Sequence, residues 1–281
     1  MSETIQEYHA HRAVSHSKLE CYRRRPQMYY RRYISGTVPA PEATSANKIG
    51  SALHCAVLEQ DQFGWRYITK PDIDRRTKEG KIEFAAFEAQ HAGKTILSVE
   101  DMGDCDKMYS AINEHKLAAI LLSGGKAEQT WRVPQNNALV ALQCRTDYYN
   151  ETGCEFSMGR PYVVDLKTVE SLDSDAFRNF EKACFGYGYH RQAGFYLPLI
   201  TEITQQPVFD FFFVAVEKCE PFGVAVYKLT DEAIGRGQDE TIEDLIRLRK
   251  SYSENSWPNI DEGLIEIKLP KWYGMNKEGG K

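Results

Sequence analysis

Within Val163-Val164-Asp165-Leu166-Lys167-Thr168, an apolar run that reads as a strand abruptly presents an acid and a lysine with one residue between them. Side chains alternate along a strand, so Asp165 and Lys167 point to the same face. Holding a carboxylate and an ammonium beside a core is costly unless they pair with each other or with a metal. The segment therefore requires either a structural ion pair or a functional centre.

The surrounding pattern predicts an α/β (α+β) protein with a central mixed sheet flanked by helices. Ser15 caps a first helical region, and Pro26 marks the junction of two short helices. A second helix is predicted at 46–60, where Ile49, Leu53, Ala56 and Val57 make an apolar stripe, His54 adjoins it and Gly50 permits close packing. Residues 68–81 turn polar and basic around Pro71 and Gly80, which predicts an irregular excursion. Helices follow at 82–92 and 99–122. The period then changes to three antiparallel strands at 127–133, 139–149 and 162–168, joined by turns at Asn136-Asn137 and Glu151-Thr152-Gly153. Helices are predicted at 174–184 and 187–204, followed by an apolar run at 208–216 and a strand-like 223–229. Thr230-Asp231-Glu232 then caps a last helix reaching about Tyr252. We expect one domain over 1–275 and a polar, fraying tail at 276–281.

With 42% hydrophobic residues in 281, the chain can bury a large core. No apolar run is long enough for a membrane span and no secretory leader is visible, so a cytoplasmic protein without a membrane partner is expected. The seven cysteines form no CxxC pair and read as reduced thiols. Neither a Gly-rich phosphate loop nor a Ser or Cys nucleophile motif is present, so ATP is not implied. A formal charge of −5 argues against a uniformly basic nucleic-acid binder. Any DNA contact must be local, and Arg75, Arg76 and Lys78 in the polar excursion are predicted to face DNA. Their alternative is a solvated surface.

Asp147 lies towards the end of the strand before Asp165, and a hairpin would bring the two carboxylates together beside Lys167. Hard divalent cations such as Mg²⁺ take oxygen ligands, and the Leu166 carbonyl could add one more. Lys167 would then orient or deprotonate an attacking water while the metal neutralises charge on a phosphate. Arg145 shares a face with Asp147 and could contact that phosphate, or form an ion pair with an acidic neighbour. Gln192 and Tyr196 are four apart and share a helical face, which Tyr189 could extend.

The signature Thr146-Asp147 with Asp165-Leu166-Lys167 resembles the PD-(D/E)xK nuclease superfamily, although Thr146 stands where a proline is usual. Gly50-Ser51-Ala52-Leu53-His54 upstream and Gln192-Ala193-Gly194-Phe195-Tyr196 downstream look like the exonuclease VIII (RecE-type) branch. Val14-Ser15-His16-Ser17-Lys18-Leu19 and Asp74-Arg75-Arg76-Thr77-Lys78-Glu79-Gly80-Lys81 are similar to it as well, so the resemblance spans about residues 8–215.

The resemblance implies that His54 is a metal ligand or its neighbour, that Gln192 and Tyr196 face the active site, and that Glu128 is an acid near the metals. Read without it, His54 is a packed helix histidine, Glu128 a strand-edge charge, and Gln192 and Tyr196 a satisfied buried pair. It further implies a Mg²⁺-dependent 5′ to 3′ exonuclease, with Mn²⁺ substituting, that acts on double-stranded DNA ends and leaves 3′ single strands for recombination. A ring-like homo-oligomer and a single-strand annealing protein as partner complete that picture. The same core also serves structure-specific endonucleases, repair nucleases and inert DNA-binding relatives.

Overall fold

The structure is a computed structural model that describes residues 3–39, 45–134, 140–173, 176–259 and 266–267. In chain order its elements are α1 (Ile5–Ala10), α2 (His16–Arg24), α3 (Pro26–Tyr29) running into a π-helical turn at Tyr30–Ile34, α4 (Ser45–Leu58), α5 (Gln60–Arg66) and β1 (Tyr67–Thr69). Next come α6 (Lys78–Gln90), β2 (Thr95–Leu97), α7 (Val99–Glu114), α8 (Lys116–Leu121), β3 (Lys126–Val133), β4 (Leu142–Asn150) and β5 (Tyr162–Val169). The remainder is α9 (Ala176–Tyr187), α10 (Tyr189–Thr204), β6 (Asp210–Glu217), β7 (Val224–Lys228) and α11 (Asp231–Glu254).

Five strands form one sheet in the order β3-β4-β5-β6-β7. The β5–β6 pair is parallel and the others are antiparallel, so the sheet is mixed, as expected. A parallel pair needs a crossover, which α9 and α10 supply. All eight residues of β6 are buried. One face of the sheet packs Val163, Phe211 and Phe213 against Leu19, Phe195 and Ile200. The other packs Val164, Leu166 and Val214 against Leu53, Met108 and Ile112. The odd and even residues of β5 thus enter different cores, and Asp165 and Lys167 fall on the α10 side.

Two local irregularities shape the molecule around Asp147. First, β4 and β5 pair only from Tyr148↔Val164 to Asn150↔Tyr162; one step further, where Asp147 would face Asp165, the ladder has ended. The strands fork there, and beyond the fork Val14 bridges to Leu142, with Gln143 N–H donating to the Val14 carbonyl at 2.9 Å. Second, Glu128 on β3 falls opposite Asp147 in the register and has φ 51°, the left-handed region, which costs a non-glycine residue on the order of 1–2 kcal/mol. Side-chain alternation slips across this point. Ala127 and Tyr148 pack on one side of the sheet, whereas Trp131 and Cys144, four residues away on each strand, pack on the other.

Several boundaries differ from those predicted. The helix expected at 46–60 ends at Leu58, and Glu59, with extended φ of −133°, separates it from α5. The excursion at 68–81 takes in the last two residues of β1 and closes with the first turn of α6, because Thr77 accepts the Gly80 N–H at 2.9 Å and starts a helix at Lys78. The single helix expected at 99–122 is two, since His115 leaves the helical region and its Nδ1 accepts the Ala118 N–H at 3.2 Å. The parallel β1–β2 pair was not anticipated; three residues per strand are too few to show alternation. Gly50 is not needed for close packing, as a Cβ there would meet only Thr168 Oγ1 at 3.5 Å. The predicted turn at Asn136-Asn137 and the tail at 276–281 lie outside the described residues.

Candidate active site

The fork opens into a cleft of about 770 Å³ whose lining includes His16, His54, Glu128, Asp147, Gln192 and Tyr196. Each arrives on a different support. α4 buries Ile49, Ala52 and Leu53, and His54 beside them faces Asp147 of β4. β3 and β4 bring Glu128 and Asp147 opposite each other, and α10 lays Gln192 over β5. The position of α10 is fixed by a close helix crossing: a Cβ on Gly194 would stand 2.3 Å from the Gly237 carbonyl carbon of α11.

Hydrogen bonds divide the polar groups into two sets. Asp165 belongs to the first: its Oδ1 accepts from Gln192 Nε2 at 2.5 Å and its Oδ2 meets the Lys167 ammonium. The ammonium in turn lies 4.7 Å from the centre of the Tyr189 ring, so Tyr189 does extend the helical face of Gln192. The second set is His54, Glu128 and Asp147, which present one ligand atom each within 4.8 Å of one another. His54 Nδ1 is 3.5 Å from Asp147 Oδ2, and the Leu166 N–H donates to that same oxygen at 2.8 Å. The sequence expectation names His54, Asp147, Asp165 and the Leu166 carbonyl as metal ligands; among the described residues the grouped ligand atoms are those of His54, Glu128 and Asp147, while Asp165 is engaged by Gln192 and Lys167.

The electrostatics match this division. Burial and the nearby Asp165 raise the Asp147 carboxyl to about 8, and burial with Asp147 raises Glu128. Burial lowers His54, which favours the neutral imidazole that can ligate a metal. Burial also pulls on Lys167, but Asp165 and Asp147 outweigh it and the ammonium is held charged. Burial lifts the Tyr196 phenol well above its ordinary range, so it remains a donor. One neutral nitrogen with carboxylate oxygens is a donor set that suits a divalent cation, and a cation there would relieve the repulsion that raises Asp147 and Glu128.

Arg145 forms the ion-pair alternative: its Nε donates to Glu128 Oε2 at 2.5 Å and its Nη1 to the Glu3 carbonyl at 2.9 Å. Arg75, Arg76 and Lys78 are exposed and do not line the cleft; Arg76 is tied to Asp74 at 3.0 Å and Arg75 stacks on Phe84. Tyr8, Cys55, Arg66 and Thr168 line the cleft without having been singled out. No local motif marks them, since they come from the N-terminal arm, the far end of α4, α5 and the end of β5.

The sequence matches the family described as a PDDEXK-like domain of unknown function (DUF3799) over residues 20–267. Among solved structures, a protein from Eubacterium rectale described as a candidate exonuclease superposes with a TM-score of 0.62, at 12% identity and with 97% of each chain covered. At that identity the likeness bears on the fold alone. The chain matches no curated protein.

Proposed function

The chain belongs to the PDDEXK-like family DUF3799, and from that premise we propose that it is a Mg²⁺-dependent deoxyribonuclease working in the cleft at the β4–β5 fork. The observation that carries this reading is the convergence in the cleft of the ligand atoms of His54, Glu128 and Asp147, with the buried Asp165–Lys167 pair next to Asp147. In this reading His54, Glu128, Asp147 and the Leu166 carbonyl hold the cation, with Asp165 joining them when substrate is bound. The bound cation supplies Lewis acidity at a phosphate oxygen. Lys167, held as an ammonium, orients the attacking water or a phosphate oxygen by N–H donation rather than removing a proton. Gln192 fixes Asp165, and Tyr196 donates its O–H toward the cleft.

The finer reading is a 5′ to 3′ exonuclease on double-stranded DNA ends that leaves 3′ single strands, with Mn²⁺ able to replace Mg²⁺. It is supported by the GSALH and QAGFY segments, which resemble the exonuclease VIII branch, and by the description of the Eubacterium rectale protein. A ring-like oligomer and a single-strand annealing partner belong to the same proposal.

End-labelled linear DNA and covalently closed circles, each incubated with Mg²⁺ or EDTA, test it. The expected result is metal-dependent loss of the linear DNA with the circle intact. Equal cutting of the circle would replace the exonuclease with an endonuclease, and hydrolysis of neither would defeat the nuclease reading. Lys167→Ala should lower the rate by about 10²-fold or more; an unchanged rate would make the Asp165–Lys167 pair structural.

A further inference from the structure

Beside the cleft lies a second depression of about 450 Å³, and Thr168 lines both. The two are neighbours across the end of β5, where Lys167 turns toward Tyr189. Its lining is aromatic at Phe180, Tyr187 and Tyr189 and polar at Glu170, Ser171 and Lys218. Tyr189 and Phe180 are packed into the protein, with Phe180 stacked on Tyr227 at 4.1 Å and 3°. Tyr187 is different. It stacks on Tyr189 with centroids 5.8 Å apart, yet remains 64% exposed. An exposed tyrosine at the end of a cation–tyrosine–tyrosine stack that begins at Lys167 offers a π-face in line with the reaction centre. Lys218 is held at 2.7 Å by Glu170, which is itself 85% exposed, a surface pair weak enough to yield to a phosphate.

We propose that this groove is a nucleobase subsite. The strand whose phosphate sits at Asp147, Asp165 and Lys167 crosses Thr168, stacks its next base on Tyr187 and brings the following phosphate to Lys218. The assignment rests on the nuclease reading above and adds to it where the strand goes. A nucleotide unit fits what the groove offers: room of small-ligand size, a flat aromatic face, one cation, and continuity with the phosphate-handling centre. Stacking of this kind accepts any base, because every base has a π-face. The subsite therefore holds the strand without reading its sequence.

Steady-state hydrolysis with Mg²⁺ tests this, using the full chain and short DNA substrates in which a single abasic nucleotide is moved along the strand. For the wild type, one abasic position should raise KM about tenfold with kcat little changed. Tyr187→Ala should show that raised KM on intact DNA and be indifferent to the same abasic position. Tyr187→Phe should behave as the wild type. Tyr187 is exposed and its replacement leaves the core intact, which an unchanged melting temperature checks. The subsite is overturned if Tyr187→Ala leaves KM unaltered, if Tyr187→Phe fails equally, or if the effect of Tyr187→Ala adds to that of every abasic position. Failure of the wild type to hydrolyse any DNA is a separate outcome, which defeats the nuclease reading and this subsite with it.

Discussion

Burial and Asp165 push the Asp147 carboxyl from its ordinary 3.8 up to about 8, a position that a cation in the cleft would reverse. For a carboxyl raised on folding, the folded chain binds the proton more tightly than the unfolded one. Its contribution to stability is complete below about 4 and is lost as pH rises through about 8. The metal-free protein should therefore lose stability across that window, by several kcal/mol. Asp147→Asn keeps an acceptor for the Leu166 N–H and removes the charge. Melting curves of the two metal-free proteins at pH 5 and pH 8 should show a flatter dependence for the variant. Saturating Mg²⁺ should raise the melting temperature of the wild type at pH 8 and not that of Asp147→Asn. An equal Mg²⁺ shift in both would remove Asp147 from the cation site. Strand alternation made Asp165 and Lys167 legible in the sequence, and the hairpin brought in Asp147. His54, Glu128, Gln192 and Tyr196 come from elements far apart along the chain, so only resemblance pointed to them. The left-handed backbone at Glu128 had no sequence signal, because glutamate is not a residue that favours it.

Two glycines in the segments that carry the resemblance do different work at the level of elements. Gly194 is where α10 meets α11: its missing Cβ would stand 2.4 Å from Gln238 N, and a Cβ on Gly237 would stand 2.0 Å from the His190 carbonyl oxygen. Backbone cannot give way as a side-chain tip can, so Gly194→Ala should cost about 3 kcal/mol or more. Because α10 also carries Gln192, the same change should displace the partner of Asp165 and lower activity. Gly50→Ala on α4 meets only ordinary contact and gains helix propensity, so its stability should stay level or rise by up to about 1 kcal/mol. Urea unfolding of both variants checks the contrast, and equal costs would mean that the α10–α11 crossing can open. The crossing itself was not legible, since its two glycines are 43 residues apart and neither sits in a turn. By contrast, α10 and β5 were legible from their periods. The apolar run that became β6 was ambiguous, because a strand buried on both faces shows no alternation.

At the scale of the whole molecule, a chain of net charge −5 must bind a polyanion through a small part of its surface. The cleft does little of this unaided: Arg145 is neutralised by Glu128, Arg66 by Glu59 and Lys167 by Asp165. Above about pH 8, where Asp147 is ionised, a cleft without cations repels phosphate. DNA affinity should therefore be at least about tenfold weaker in EDTA than in Mg²⁺, measured with the Lys167→Ala protein so that the DNA stays intact. The remaining attraction must come from outside the cleft, and the exposed Arg75, Arg76 and Lys78 are the group proposed for it. Each phosphate contact they make should contribute about 0.9 to the slope of log affinity against log salt. Changing all three to Ala should thus lower affinity at low salt and reduce the slope by about one to three. Equal slopes would take this segment off the DNA path. Metal-independent affinity would mean instead that DNA is held away from the fork, since only there do the acids require a cation before a phosphate can approach.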